Sequence, residues 1–274
     1  DPKVDFVFKN IFGSPNHPEI LISFLNATLK AKKKIVNVDI KKTDIEKQYI
    51  EDKYSRLDVK ATTSNDEIIN IEIQLKNENN MVKRSLYYLS KMYEEQLNEK
   101  EDYSKLVRTV CINILNFKYL KTDNFHTGYR FKEIESNEEL TDIMEVHFIE
   151  IPKLQDSSDE KDMLVAWTEF LKDPESEKVR GLELSIEEIR QAKDELIRMS
   201  NDSTQRELYD MRANSLRDKM SELNAAERKG IEKGREEGRK EEKIKIARNM
   251  KLSGIDTNTI AKVTNLSEDE IDKL

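Results

Sequence analysis

Between Ile68 and Lys76 the chain reads IINIEIQLK, a run in which branched aliphatic side chains alternate with an acid, an amide and a lysine. Period two marks an extended strand, whose successive side chains leave on opposite faces. Ile69, Ile71, Ile73 and Leu75 then share one face, and Glu72, Gln74 and Lys76 the other. Upstream, YSRLDVKAT alternates in the same way, with Leu57, Val59 and Ala61 on one face and Asp58 and Lys60 on the other, and a polar turn, TSNDE, separates the runs. If the two strands pair, Asp58, Glu72 and Gln74 can lie on one side of the sheet. Adjacent carboxylates repel one another unless a cation neutralises them, and hard oxygen ligands of this kind suit Mg²⁺ or Mn²⁺. The same alternation also describes the wet face of any half-exposed antiparallel sheet. Spacing leaves both readings open.

Around this pair the periodicity predicts two opening helices, over Val4 to Phe12 and Pro18 to Leu29, broken by Gly13-Ser14-Pro15. IVNVDI predicts a first strand. After the acidic strand, Val82, Leu86, Leu89, Tyr93 and Leu97 recur at helical spacing, so that helix packs one apolar stripe on the sheet. LVRTVCINILNF and MEVHFIEIPKL predict two further strands, the first apolar enough to be central. Beyond QDSSDEKD every strand signal stops. DMLVAWTEFLK and the segment from Ser185 to Ser200, opened by the capping-box spacing Ser185/Glu188, predict helices. The expected organisation is a mixed α/β (α+β) domain over 1–154, a central sheet flanked by helices, then a helical region over 155–225. A charged Gly-repeat helix or linker with a small helical module follows over 226–274.

Composition narrows the function classes. The 274 residues are room for a sizeable core, and 37% charged residues with a net charge of −8 leave no apolar run of bilayer-spanning length. No membrane partner is expected, and no basic region followed by an apolar run suggests export. A single cysteine, Cys111, in an apolar strand pattern, reads as core and suits a reducing compartment, the cytoplasm. His17, His126 and His147 are scattered without metal-ligand spacing, which argues against triad or thiol hydrolases.

DFVFKNIFG, KYSRLDVKA, INIEIQ, KRSLYYLSKMYEEQL, YSKLVRTVCINILNF and the tail GIEKGREEGRKEE occur in that order. In this set of blocks the chain resembles the PD-(D/E)XK nuclease superfamily, and within it the Rpn-type recombination-promoting nucleases, also described as PD-(D/E)XK family transposases. The resemblance implies a PD-(D/E)XK nuclease-like fold for the N-terminal domain and a metal-dependent DNA endonuclease, linked to recombination, mobile elements or phage defence. It makes Asp58 and Glu72 metal ligands together with the backbone carbonyl of Ile73, and implies Mg²⁺ or Mn²⁺ as cofactor. Gln74 stands where the general motif has lysine. It can orient a water but cannot take a proton or supply positive charge, so either the metal alone acidifies the water or a nearby lysine, Lys53, Lys60 or Lys76, stands in. Asp5 and Lys9, one helical turn apart, read either as accessory site residues or as a surface pair. Arg84, Tyr88 and Lys91 form a second stripe on the helix after Gln74, placed to touch DNA or to be a solvated face. The alternative function is a catalytically inactive nuclease fold that binds partners through its tail.

In that tail Gly230, Gly234 and Gly238 recur every four residues, a stripe that suits either close helix approach or a loose linker. IARNMKLSGIDTNTIAKVTNLSEDEIDKL resembles a helix-turn-helix, with a capping box at Ser267/Glu270, yet its last helix is acidic and phosphates would repel it. A protein-contact or stabilising role is expected there. Since one metal site cuts one strand, a homodimer would serve double-strand cleavage. Ile186, Ile189, Ala192, Leu196 and Met199, with Leu208, Met211, Leu216, Met220 and Leu223, supply apolar surface for a second copy or for the same chain's own domain.

Overall fold

The computed structural model describes residues 1–30, 33–41, 58–159 and 161–274, so Lys53 and Leu57 lie outside the described residues. The chain divides into two compact units, Asp1–Ala213 and Asn214–Leu274.

In the first unit α1 (Asp5–Phe12) and α2 (Pro18–Leu29) precede β1 (Val38–Lys41), β2 (Val59–Thr63) and β3 (Ile68–Gln74). Helix α3 (Met81–Glu94) leads to β4 (Thr109–Leu115), and β5 (His126–Lys132) and β6 (Glu139–Glu150) complete a six-stranded sheet of order β1-β2-β3-β4-β6-β5. β1, β2 and β3 pair antiparallel; β3 with β4 and β4 with β6 pair parallel, and β5 closes the edge antiparallel to β6. The parallel β3–β4 step requires a crossover, which α3 supplies. The sheet is mixed, as the sequence predicts, and β4 is central. β5, the polar first half of β6 and helix α5 (Glu177–Glu183) are elements that periodicity did not reveal.

Each face of the sheet has its own cover. Met81, Tyr88, Leu89 and Met92 of α3 pack against Cys111 and Leu115 of β4 and Val146 and Phe148 of β6. On the opposite face Val59 reaches α1: a Cβ on Gly13 would stand 3.3 Å from Val59 and 2.6 Å from the Lys9 carbonyl oxygen, so only glycine fits that turn. Behind α1 and α2 lies α4 (Met163–Lys172), whose fully buried Trp167 meets Phe12 at 5.3 Å and Phe24 at 6.5 Å between ring centroids. α6 (Glu187–Asn201) packs on α1 and α2 and buries Ile189, Ala192 and Met199.

The division expected at 154/155 is therefore not a boundary between compact units. The helices after Leu154 finish the core begun by α1 and α2, and the apolar stripe of α6 is absorbed within the unit. Nor does Ser185/Glu188 form a capping box. α6 starts one residue after Ile186, and the Ser185 hydroxyl donates instead to the Leu182 carbonyl at 3.2 Å.

α7 (Ser203–Leu252) is a 50-residue helix that begins in the first unit and ends in the second. In the second unit its Ala247 packs with Ile260 of α8 (Thr257–Thr264), Leu266 and Ile271 of α9 (Glu268–Asp272). The capping box expected at Ser267/Glu270 is formed. Gly230, Gly234 and Gly238 lie within α7, with nothing among the described residues within 4 Å of where a Cβ would stand. None of the described helices is long and apolar enough to cross a membrane.

Trp167→Ala should lower stability by about 3–5 kcal/mol, the range for emptying a large buried aromatic site. A urea midpoint unchanged from the parent chain would contradict this account of the core. Gly234→Ala should strengthen α7 by about 1 kcal/mol, seen as slower amide exchange around residue 234; faster exchange would show that the glycine face meets another surface.

Candidate active site

β3 is sandwiched between β2 and β4, and its alternate residues Asn70 and Glu72 point at α3, where they lie opposite Cys111 and Asn113 of β4. The Asn70 amide nitrogen stands 3.8 Å from the Cys111 sulfur, which places both on this face. This is no wet face, because Glu72 is 1% exposed. A carboxylate at such a position must be paired or neutral.

One oxygen of Glu72 has a partner. Arg84, on the second turn of α3, donates from Nε to Glu72 Oε2 at 3.2 Å. The other oxygen, Oε1, is buried with no hydrogen-bond partner among the described residues. The turn of α3 that carries Arg84 is seated by its neighbour: the Ser85 hydroxyl lies 2.8 Å from Asn113 Oδ1, and the Asn113 amide donates to the His147 carbonyl at 3.1 Å.

Asp58 precedes the first residue of β2, just past the last β2–β3 pair, Val59 with Ile71. There the Ile73 N–H has run out of ladder partners and donates to Asp58 Oδ2 at 2.8 Å. In extended backbone a residue's N–H and C=O leave on the same edge, so the Ile73 carbonyl faces this side as well. Gln74, the next residue and the last of β3, is half-buried at the same strand end.

The charges of these groups act on one another. Burial pushes the Asp58 carboxyl up to about 6 against the Ile73 hydrogen bond; Asp5 adds to the rise, and Arg84 and Lys9 oppose it. Burial pushes Glu72 up to about 7, opposed by Arg84 and, more weakly, by the neighbouring Asn70 amide, and assisted by Asp58. Asp5, Lys9, Asp58, Glu72 and Arg84 thus form one electrostatic cluster, drawn from α1, the start of β2, β3 and α3. Asp5 also accepts from the Phe6 N–H at 2.8 Å.

Other expected residues sit differently. Lys60 is held by Glu95 at 3.2 Å, across the far end of α3, and Lys91 lies 3.6 Å from Glu94. Tyr88 is 7% exposed in the α3 core cluster, with the Arg84 guanidinium carbon 5.2 Å from its ring centroid. No ring face is left there for a base to stack on, and Arg84 turns toward Glu72 instead of out from the helix. Lys76 engages a partner of its own. Sequence reasoning passed over Ser85 and Asn113; an amide in the otherwise apolar run TVCINIL is the signal that would have found the second.

Among the described residues no group of three or more His, Cys, Asp or Glu side chains is arranged to hold a metal. The donor set is smaller, two carboxylates and a carbonyl, which is sufficient for an ion that keeps several waters. The buried, unpartnered Glu72 Oε1 and the mutual repulsion of Glu72 and Asp58 fit such an ion.

Because both carboxyls bind protons more tightly folded than unfolded, the metal-free protein should lose stability as pH rises from about 4 through about 7. Asp58→Asn, which removes one buried charge, should raise stability at pH 8 by about 1–3 kcal/mol, with a gain that shrinks as pH falls toward 4. Thermal melts across pH read this directly, and a loss at pH 8 would contradict it.

Residues 2–226 match the family model of the PD-(D/E)XK nuclease family transposases, and residues 240–274 match that of the Rpn/YhgA-like nuclease family C-terminal HTH domain. No curated protein and no solved structure gives a significant match.

Proposed function

Because the chain belongs to the PD-(D/E)XK nuclease family transposases, we propose that it is a metal-dependent endonuclease that hydrolyses phosphodiester bonds in DNA. The observation that carries this reading is Glu72, buried in a central strand beside Asp58, with Oε1 meeting no hydrogen-bond geometry among the described residues. A core carboxylate without a ligand is a liability, and one that shares an ion is not.

Asp58, Glu72 and the Ile73 carbonyl would hold Mg²⁺ or Mn²⁺. The bound ion would polarise the phosphate and make an attacking water more acidic. The protein's own groups do the rest. Gln74, at the strand end, would orient the water by hydrogen bonding; having no titratable proton, it cannot act as base. Lys60 is committed to Glu95 and is not placed to take that role.

Two features favour DNA as substrate. A cleft of about 780 Å³, lined by Phe6, Lys9, Asn10, His17 and by Arg198 paired with Glu195, runs along α1 and shares Lys9 with the acidic cluster. It would take a flanking strand. The second feature is the C-terminal HTH match. Its α9 opens with Glu268, Asp269 and Glu270, which phosphates repel, so the exposed Lys243, Lys245 and Arg248 near the end of α7 are the groups suited to a backbone contact. A homodimer cutting both strands and a cytoplasmic location fit this reading. The second function class, an inactive interaction protein, is disfavoured by the presence of both Asp58 and Glu72.

Plasmid cleavage with Mg²⁺ or Mn²⁺ tests the proposal. The unaltered chain should nick or linearise the plasmid, and Asp58→Ala should remain folded and lose at least ~10²-fold in rate, the scale of losing a principal electrostatic group. Cleavage that survives both chelation and Asp58→Ala would sink it.

A further inference from the structure

We propose that Arg84 is a catalytic residue that binds the scissile phosphate and supplies the positive charge that Gln74, in the motif's lysine position, lacks. The inference rests on the nuclease reading above.

Three observations converge on Arg84. The first is the way it is anchored. Only Nε is used on Glu72, at 3.2 Å, and the two terminal nitrogens make no hydrogen bond among the described residues. A guanidinium carries five N–H donors in a rigid fork, so four are left without a hydrogen bond among the described residues. The second is the gradient of exposure: the Arg84 side chain is 31% exposed while that of Glu72 is 1%. Arg84 therefore spans from the buried Glu72 to the partly open side of the site. An arginine present only to neutralise a buried acid would be expected to turn its bidentate edge to the carboxylate. The third is preorganisation. Arg84 stands against the Tyr88 ring at 5.2 Å, on a helical turn that Ser85 seats on Asn113. A cation so held loses little entropy on meeting an anion.

The chemistry requires a cation at this place. In-line displacement at a phosphodiester builds negative charge on the non-bridging oxygens, and fixed positive groups aimed at those oxygens stabilise it. The two carboxylates and the neutral amide offer none, and Lys9 acts on Asp58 but not on Glu72. Among the described residues Arg84 is the arginine whose charge reaches both Asp58 and Glu72, and its fork matches the geometry of two phosphate oxygens.

The test compares the unaltered full chain with Arg84→Gln, Arg84→Lys and the double variant Arg84→Gln/Gln74→Lys. Arg84→Gln keeps a donor for Glu72 and removes the charge. Under saturating Mg²⁺ and DNA, Arg84→Gln should cleave about 10²–10³-fold more slowly, the loss typical of removing one transition-state donor, with Arg84→Lys in between. Mn²⁺ binding, followed by calorimetry without DNA, should be retained or tightened in Arg84→Gln, since a neighbouring cation has gone. The double variant should recover at least ~10-fold of the lost rate, because the charge returns from the other side of the site.

Arg84→Gln cleaving within about threefold of the unaltered chain would overturn the proposal. So would a slow Arg84→Gln whose Mn²⁺ affinity falls in step and which Gln74→Lys does not rescue, since that pattern belongs to a residue that merely orients Glu72. If Arg84→Gln melts below the assay temperature, Arg84→Lys and the double variant are compared by the same readouts. An unaltered chain that does not cut DNA would overturn the nuclease reading and this proposal together. Cleavage by the unaltered chain and Arg84→Gln alike would overturn this one alone.

Discussion

Glu72 sits in a strand with neighbours on both edges and cover on both faces, and a carboxylate there is tolerated only if its surroundings are organised around it. Arg84 must reach it from α3, so that helix cannot slide or rotate along the sheet. Ser85 and Asn113 fix the same turn from the β4 side. The crossover between β3 and β4 is thus pinned at two polar contacts within an otherwise apolar layer of Met81, Leu89, Met92 and Leu115. A methionine or leucine at position 72 would pack there without any of this. Where local packing logic is broken and the break is held in place by polar contacts, function is the usual reason.

The opposite layer serves the site indirectly. α1 holds Asp5 and Lys9, whose charges act on Asp58, and α1 is itself held by aromatic packing: Phe8 stacks on Phe12, and Phe12 meets both Phe24 of α2 and Trp167 of α4. Helices far along the chain thereby fix the position of the first one. The sheet comes close at the end of this helix, where Val59 stands against Gly13. Separating the helices after Leu154 from the sheet would expose that aromatic cluster and release the α1 charges from Asp58.

How far the structure was legible in the sequence follows from which forces leave a one-dimensional trace. Burial against a single surface does. The period-two runs around Val59 and Ile71 and the stripe along α3 gave the strands and the helix that carry the candidate residues Asp58, Glu72 and Gln74. β5 left no such trace because it is an edge strand with most residues partly or fully exposed, and HTGYRFK carries little apolar alternation. The first half of β6 extends out with it, so polar residues there form ladder pairs without burial. At α6 the Ser185 hydroxyl had a competing acceptor at Leu182, and the helix began later than the capping pattern indicated. Ser267 had none, and its box formed. Arg84 was legible as a cation on a helix, but a helical wheel does not say which face of the sheet a buried acid occupies.

That last gap bears on how a catalytic motif is read. Position 74 has Gln where the general pattern has Lys, and a purely linear reading leaves a site of two acids and an amide, short of positive charge. The strand can spare the lysine if another element already crosses the same point in space. α3 does so, because the connection from β3 to β4 must pass over the face that Glu72 occupies, which brings its second turn to the acid. An arginine there reaches the site with a longer, planar and permanently charged group, and it can hold the carboxylate with one nitrogen while offering the others outward. A lysine on β3 would have to choose between those partners. The topology makes the exchange of Lys for Gln on the strand compatible with an intact charge balance in the site.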